Sequence, residues 1–143
     1  GTVVAGGDEA MENKMGEFGW NLGIAFQLVD DVLDFTSREK ILGKPVGNDL
    51  REGKVTLPLI YALKTATADE RAMIQGVLTD GNYEQAPFTQ ILQMIHRHNG
   101  VERALERAQD FTQKARAVLA SFPESPCQRA LLAVTELVTD RDR

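Results

Sequence analysis

The sequence predicts an all-α fold. Apolar residues recur at spacings of three and four almost throughout, and breakers such as Gly7, Gly43, Pro45, Gly81 and Asn99-Gly100 divide the pattern into helix-length segments. No stretch alternates with period two over the length of a strand.

The opening residues Gly1–Gly7 are small and apolar and read as a helix end. Gly7 suits a C-terminus and Asp8 suits the next N-cap. From Glu9 the apolar positions Met11, Met15, Phe18, Leu22, Ala25, Val29 and Val32 predict a helix to about Phe35. Ser37 to Lys54 reads as a loop rich in glycine, with Pro45 and Asn48. A second helix is predicted from about Thr56, with Pro58 tolerated in its first turn. Asp69 is the expected cap of a short helix ending near Asp80-Gly81-Asn82. Further helices fit Pro87–His98, stopped by Asn99-Gly100, then Val101–Ser121, stopped near Pro123. The last runs from Ser125-Pro126 to about Thr139.

The chain has 143 residues, 43% of them hydrophobic, enough for a packed core in one domain or part of one. The formal net charge is -5 and no basic stripe is present, which argues against a nucleic-acid partner. No apolar run reaches the ~18 residues of a transmembrane segment. The single cysteine, Cys127, excludes an internal disulfide and fits a reducing, cytoplasmic setting. The chain has no initiator methionine and starts inside what reads as an element, so it is expected to be truncated.

Chemistry concentrates in one helix. Gln27, Asp30, Asp31 and Asp34 are spaced i, i+3, i+4, i+7 and share a stripe, with Gly23 one turn earlier on the same line. Phe18, Leu22, Ala25, Val29, Val32 and Leu33 lie opposite, and Ile24, Phe26, Leu28 and Phe35 make the flanks apolar. A helix apolar nearly all round is a buried one. Carboxylates on such a helix repel one another and are costly to bury, a problem that a cation solves. Hard oxygen donors favour magnesium or calcium, and magnesium commonly completes its shell with water and phosphate oxygens. The pattern therefore points to a phosphorylated ligand. The loop that follows carries Lys44 and Lys54, point-charge partners for phosphate, and contains no P-loop motif.

Other features carry less. His96 and His98 are two apart and face different sides of a helix, so they make poor partners for one metal. Cys127 is expected to be an inert thiol, and Trp20 to pack in a core or interface. Leu105, Ala108, Thr112, Ala115, Leu119 and Phe122 form a stripe best read as bundle packing.

The segment Phe26-Gln27-Leu28-Val29-Asp30-Asp31-Val32-Leu33-Asp34 matches an F-Q-x-x-D-D-x-x-D pattern. Gly43-Lys44, Gly47-x-Asp49, Gly53-Lys54 and Thr56-Leu57-Pro58 match its continuation. In these motifs the chain resembles the trans-type polyprenyl diphosphate synthases, in particular long-chain members that make quinone side chains. The resemblance implies an antiparallel helix bundle of the isoprenoid-synthase type, with the whole chain, 1–143, as its C-terminal helical part. It implies a prenyltransferase that elongates an allylic diphosphate with isopentenyl diphosphate. Asp30, Asp31 and Asp34 would serve magnesium, and Lys44 and Lys54 would contact the allylic diphosphate. Asp49 would support that site, and Phe26 and Gln27 would line the pocket near the reacting carbons. The family's first aspartate-rich motif and its basic residues for isopentenyl diphosphate have no match here. The chain alone is therefore expected to be inactive, and to self-associate or to pair with the N-terminal part of the same enzyme in a homo-oligomer such as a homodimer. A non-catalytic partner subunit of a prenyl synthase is the alternative. A related terpene cyclase would need a different second metal motif.

Overall fold

The computed structural model describes residues 1–36, 47–84 and 86–139. Every regular element among them is a helix, as the apolar spacing predicts. They are α1 (Glu9–Thr36), α2 (Asn48–Arg51), α3 (Leu57–Thr65), α4 (Ala68–Asp80), α5 (Phe88–Arg97), α6 (Gly100–Ala120) and α7 (Pro126–Thr139). None is long and apolar enough to cross a membrane. Where a continuous loop is expected, the described part, from Gly47 to Lys54, holds the short helix α2. The chain divides into two compact units, residues 1–29 with 107–143, and residues 30–106.

In the first unit Phe18 of α1 packs with Ala115, Val118 and Leu119 of α6, and Leu131 and Leu132 of α7 lean on them. The ends form for local reasons. Asp8 Oδ1 accepts the Met11 N–H at 2.8 Å, and Ser125 Oγ accepts the Gln128 N–H at 3.1 Å, so both expected caps form. Pro126 occupies the first position of α7, where its missing N–H costs nothing. Of the two places expected for Trp20, the core is excluded, because the residue is 69% exposed.

The second unit is built around Leu50, Leu59, Ile91 and Ile95, all fully buried, with Val32 and Phe35 from the end of α1. Each such large side chain contributes about 1.5–3 kcal/mol. Asn99 ends α5 at a φ of 53°, whereas Gly100 belongs to α6. A Cβ at Gly100 would collide with the Pro58 carbonyl oxygen, so glycine here permits close approach between the start of α6 and the start of α3.

The cap of α4 is Thr67 rather than Asp69. Thr67 Oγ1 accepts the Glu70 N–H at 3.2 Å, and Glu70 Oε2 accepts the Thr67 N–H at 2.8 Å. This is a reciprocal capping box, which leaves Asp69 in the first turn beside the helix dipole. Glu70 also takes Arg97 Nη1 at 2.9 Å and faces His98 Nε2 at 3.1 Å, while His98 Nδ1 lies 2.9 Å from Thr65 Oγ1. His98 thus joins the ends of three helices. His96 is exposed and 3.6 Å from Glu102, so the two histidines share no ligand.

The Thr67 N–H holds the Glu70 carboxyl below its ordinary pKa; partial desolvation opposes this and His98 adds to it. A depressed carboxyl contributes stability above its unfolded pKa of about 4.3 and loses it as pH falls through the lower folded value. Glu70→Gln keeps the shape of the capping box and removes the charge. Its melting temperature should fall below wild type near neutral pH, and the gap should close between about pH 5 and pH 3. Thermal melts across that range check this; a gap independent of pH contradicts it.

Candidate functional site

The acidic stripe occupies the last two turns of α1. Asp30 and Asp31 are half-buried, and Asp34 is only 1% exposed. Asp34 is turned into a structural junction. Its Oδ2 accepts the Asp49 N–H at 3.2 Å, and its backbone carbonyl accepts the Gly47 N–H at 2.9 Å. One residue therefore ties the end of α1 to both ends of the turn that opens α2.

The segment from Gly47 to Lys54 folds back on itself. The Lys54 N–H donates to the Asp49 carbonyl at 2.8 Å, and Lys54 Nζ reaches Asp49 Oδ1 at 3.1 Å and Glu52 Oε2 at 2.8 Å. Asn48 Nδ2 holds the other Glu52 oxygen at 2.6 Å. Glu52 first, then Asp49, raise the Lys54 ammonium well above the ordinary lysine pKa, so it stays a cation. Its side chain is 58% exposed, so solvent screens both pairs and an incoming anion can reach it.

Gly47 sits at φ +71°, and a Cβ there would run into the Phe88 ring and the Tyr83 hydroxyl. Phe88 cannot swing away freely. Phe35 stacks on it with centroids 6.2 Å apart, and Tyr83 meets it edge-on at 5.6 Å. The Tyr83 O–H donates to the Gly47 carbonyl, and the Arg51 guanidinium lies 5.2 Å from the centre of the Tyr83 ring.

Of the residues singled out in the sequence, Asp34, Asp49 and Lys54 are brought together by hydrogen bonds, with Asp30 and Asp31 one turn earlier on the same helix. Phe26 and Gln27 are exposed on α1. Lys44 lies outside the described residues. Sequence reasoning missed Glu52 as a partner of Lys54, and missed the slot made by Tyr83 and Phe88. Glu52 stands two positions before Lys54 across Gly53, in a stretch outside any helix or strand where spacing assigns no shared face. Tyr83 and Phe88 stand tens of residues downstream, where nothing local marks them.

The donor set is carboxylate only, which suits a hard cation. Among the described residues no three His, Cys, Asp or Glu side chains converge closely enough to hold a metal by themselves. The arrangement does not fit a closed protein cage. Half-buried Asp30 and Asp31 are the carboxylates that could meet a hard cation such as magnesium, which needs only one or two from a protein.

The family model described as polyprenyl synthetase matches residues 1–95. Octaprenyl diphosphate synthase of Haemophilus influenzae is 40% identical over 140 residues, covering 98% of this chain and 42% of the relative. A polyprenyl synthase of Caulobacter crescentus, solved in complex with calcium and isoprenyl diphosphate, superposes with a TM-score of 0.89 at 34% identity, over 99% of this chain and 43% of that one. A decaprenyl diphosphate synthase of Rhodobacter capsulatus gives 0.83 at 31% identity, over 99% and 42%. The chain thus spans less than half the length of these relatives. The motif, the helical fold and the matched family model lead to one assignment: this chain belongs to the polyprenyl synthetase family.

Proposed function

We propose that this chain is the C-terminal part of a trans-polyprenyl diphosphate synthase and binds the magnesium-bridged diphosphate of the allylic substrate. The observation that carries the reading is the hydrogen bond from the Asp49 N–H to Asp34 Oδ2. It joins the acidic stripe to the segment that bears Lys54, so the two halves of a diphosphate site are built as one piece.

In this reading the stripe of Asp30, Asp31 and Asp34 serves magnesium, Asp30 and Asp31 by direct coordination. The metal, when bound, neutralises charge that builds on the departing diphosphate. Lys54 and Lys44 add point charges to the same group, and Asp49 orients Lys54. The carbon–oxygen bond of the allylic diphosphate breaks and the diphosphate leaves with the electron pair. The double bond of isopentenyl diphosphate then forms the new carbon–carbon bond, and a proton is lost. Phe26 and Gln27 line the pocket near the reacting carbons. The opposite wall of the cleft, with the site for isopentenyl diphosphate, comes from the N-terminal part of the same enzyme. We place the reaction in the cytoplasm and the enzyme in a homo-oligomer. The intact acidic and lysine motifs favour this over a non-catalytic partner subunit, which has no need of them.

Calorimetry on the natural full-length protein that carries this chain tests the reading. Magnesium alone should bind weakly, and markedly tighter when inorganic pyrophosphate is present. Replacing Asp30, Asp31 and Asp34 together by Asn should abolish the difference. A triple variant that binds magnesium pyrophosphate as well as wild type would overturn the assignment.

A further inference from the structure

We infer that Tyr83 is a positioning residue for the diphosphate site: its phenol latches the Gly47 turn, and through that turn sets where Asp49 and Lys54 stand. The inference rests on the function proposed above and deepens it.

The segment Gly47–Lys54 has few anchors. Besides Leu50, which is fully buried, it is held at its start by Asp34 and by the slot around Gly47. Asp34 takes two donors, the N–H groups of Gly47 and Asp49. The Gly47 carbonyl is taken by the Tyr83 hydroxyl and, more distantly at 3.4 Å, by the Arg51 N–H of the same segment. The peptide units on either side of Gly47 are thus held by different residues, Asp34 on one and Tyr83 on the other, with Gly47 at a left-handed φ of +71° between them. Without the Tyr83 hydroxyl, the Gly47 carbonyl loses a bond made in a partly buried place, and the turn can rotate about Gly47, the residue least resistant to it.

The consequence reaches Lys54 by a short path. Asp49 lies two residues after Gly47, and its carbonyl and carboxylate both hold Lys54. A rotated turn lengthens the Asp49 N–H bond to Asp34 and moves the Lys54 ammonium relative to the acidic stripe. The Tyr83 hydroxyl is a protonated donor at neutral pH, and burial pushes its pKa further up, to about 12. Its ring is also fixed, by Phe88 at its edge and by the Arg51 guanidinium.

The test is Tyr83→Phe in the natural full-length protein, with Thr67→Ala as a control that removes the α4 capping box without touching the turn. Two quantities are measured at a temperature where all proteins are folded: affinity for magnesium pyrophosphate, and hydrogen exchange of the 47–54 amides. Tyr83→Phe should bind magnesium pyrophosphate roughly three- to tenfold more weakly, the range of one lost hydrogen bond. Its Asp49 and Lys54 amides should exchange faster. Thr67→Ala should lower the melting temperature yet leave both readouts at wild-type values. Unchanged exchange in Tyr83→Phe overturns the inference, as does an equal loss of affinity in Thr67→Ala. If the wild-type protein fails to bind magnesium pyrophosphate, the proposed function falls. Faster exchange at Asp49 and Lys54 in Tyr83→Phe would still support the latch.

Discussion

Replacing Gly47 by alanine should destabilise the protein by about 2–5 kcal/mol. Two costs add. A left-handed backbone is about 1–2 kcal/mol less favourable for an L-residue than for glycine. The new Cβ also meets the Phe88 ring, and overpacking of this kind costs about 1–3 kcal/mol. The ring cannot yield cheaply because Phe35 and Tyr83 confine it. Denaturant unfolding measures the loss. Combining Gly47→Ala with Phe88→Leu separates the terms. The double variant should recover the steric part and not the backbone part, so the two changes should be clearly non-additive. A loss near zero for Gly47→Ala alone would mean that the Gly47 turn is not held as described.

Replacing Lys54 by alanine should reduce kcat/KM for the allylic substrate by about tenfold to a hundredfold, the span expected when a charge-assisted hydrogen bond to a diphosphate is removed. The effect should be larger with the allylic substrate than with isopentenyl diphosphate, because Lys54 belongs to the segment that Asp34 holds against the acidic stripe. Lys54→Arg, which retains the charge in a different shape, should fall between wild type and alanine. Lys54 Nζ is shared by Asp49 and Glu52 in the structure, so under the proposed function a diphosphate would have to compete with Glu52 for it. Steady-state kinetics of the natural full-length enzyme with both substrates check the prediction. Unchanged constants for Lys54→Ala would remove Lys54 from the site.

Most of the helical architecture was legible in the chain. α1, α5, α6 and α7 begin and end, and α3 begins, within a residue or two of the expected positions, because capping side chains, prolines and a glycine mark them locally. The exception at α4 is instructive. Thr67 and Asp69 are both competent caps by type, and only the reciprocal bond from Glu70 selects Thr67. The short helix α2 lay hidden in a stretch read as loop, since four residues carry no periodicity.

By itself the sequence determined that the chain is helical and that Asp30, Asp31 and Asp34 share one line on one helix, because rotation per residue is a property of the backbone. It also determined that lysines follow those carboxylates. Only the tertiary structure decided what each does there. It buried Asp34 and set its Oδ2 and its backbone carbonyl on the Gly47–Asp49 turn, left Asp30 and Asp31 half-buried, and shared Lys54 between Asp49 and Glu52. It set Trp20 in the open and His98 between Thr65 and Glu70. It also brought Tyr83 and Phe88 to a glycine tens of residues earlier in the chain. Partners separated by such distances in sequence are chosen by packing and by the need to satisfy buried polar groups, and neither leaves a local signature in the order of residues.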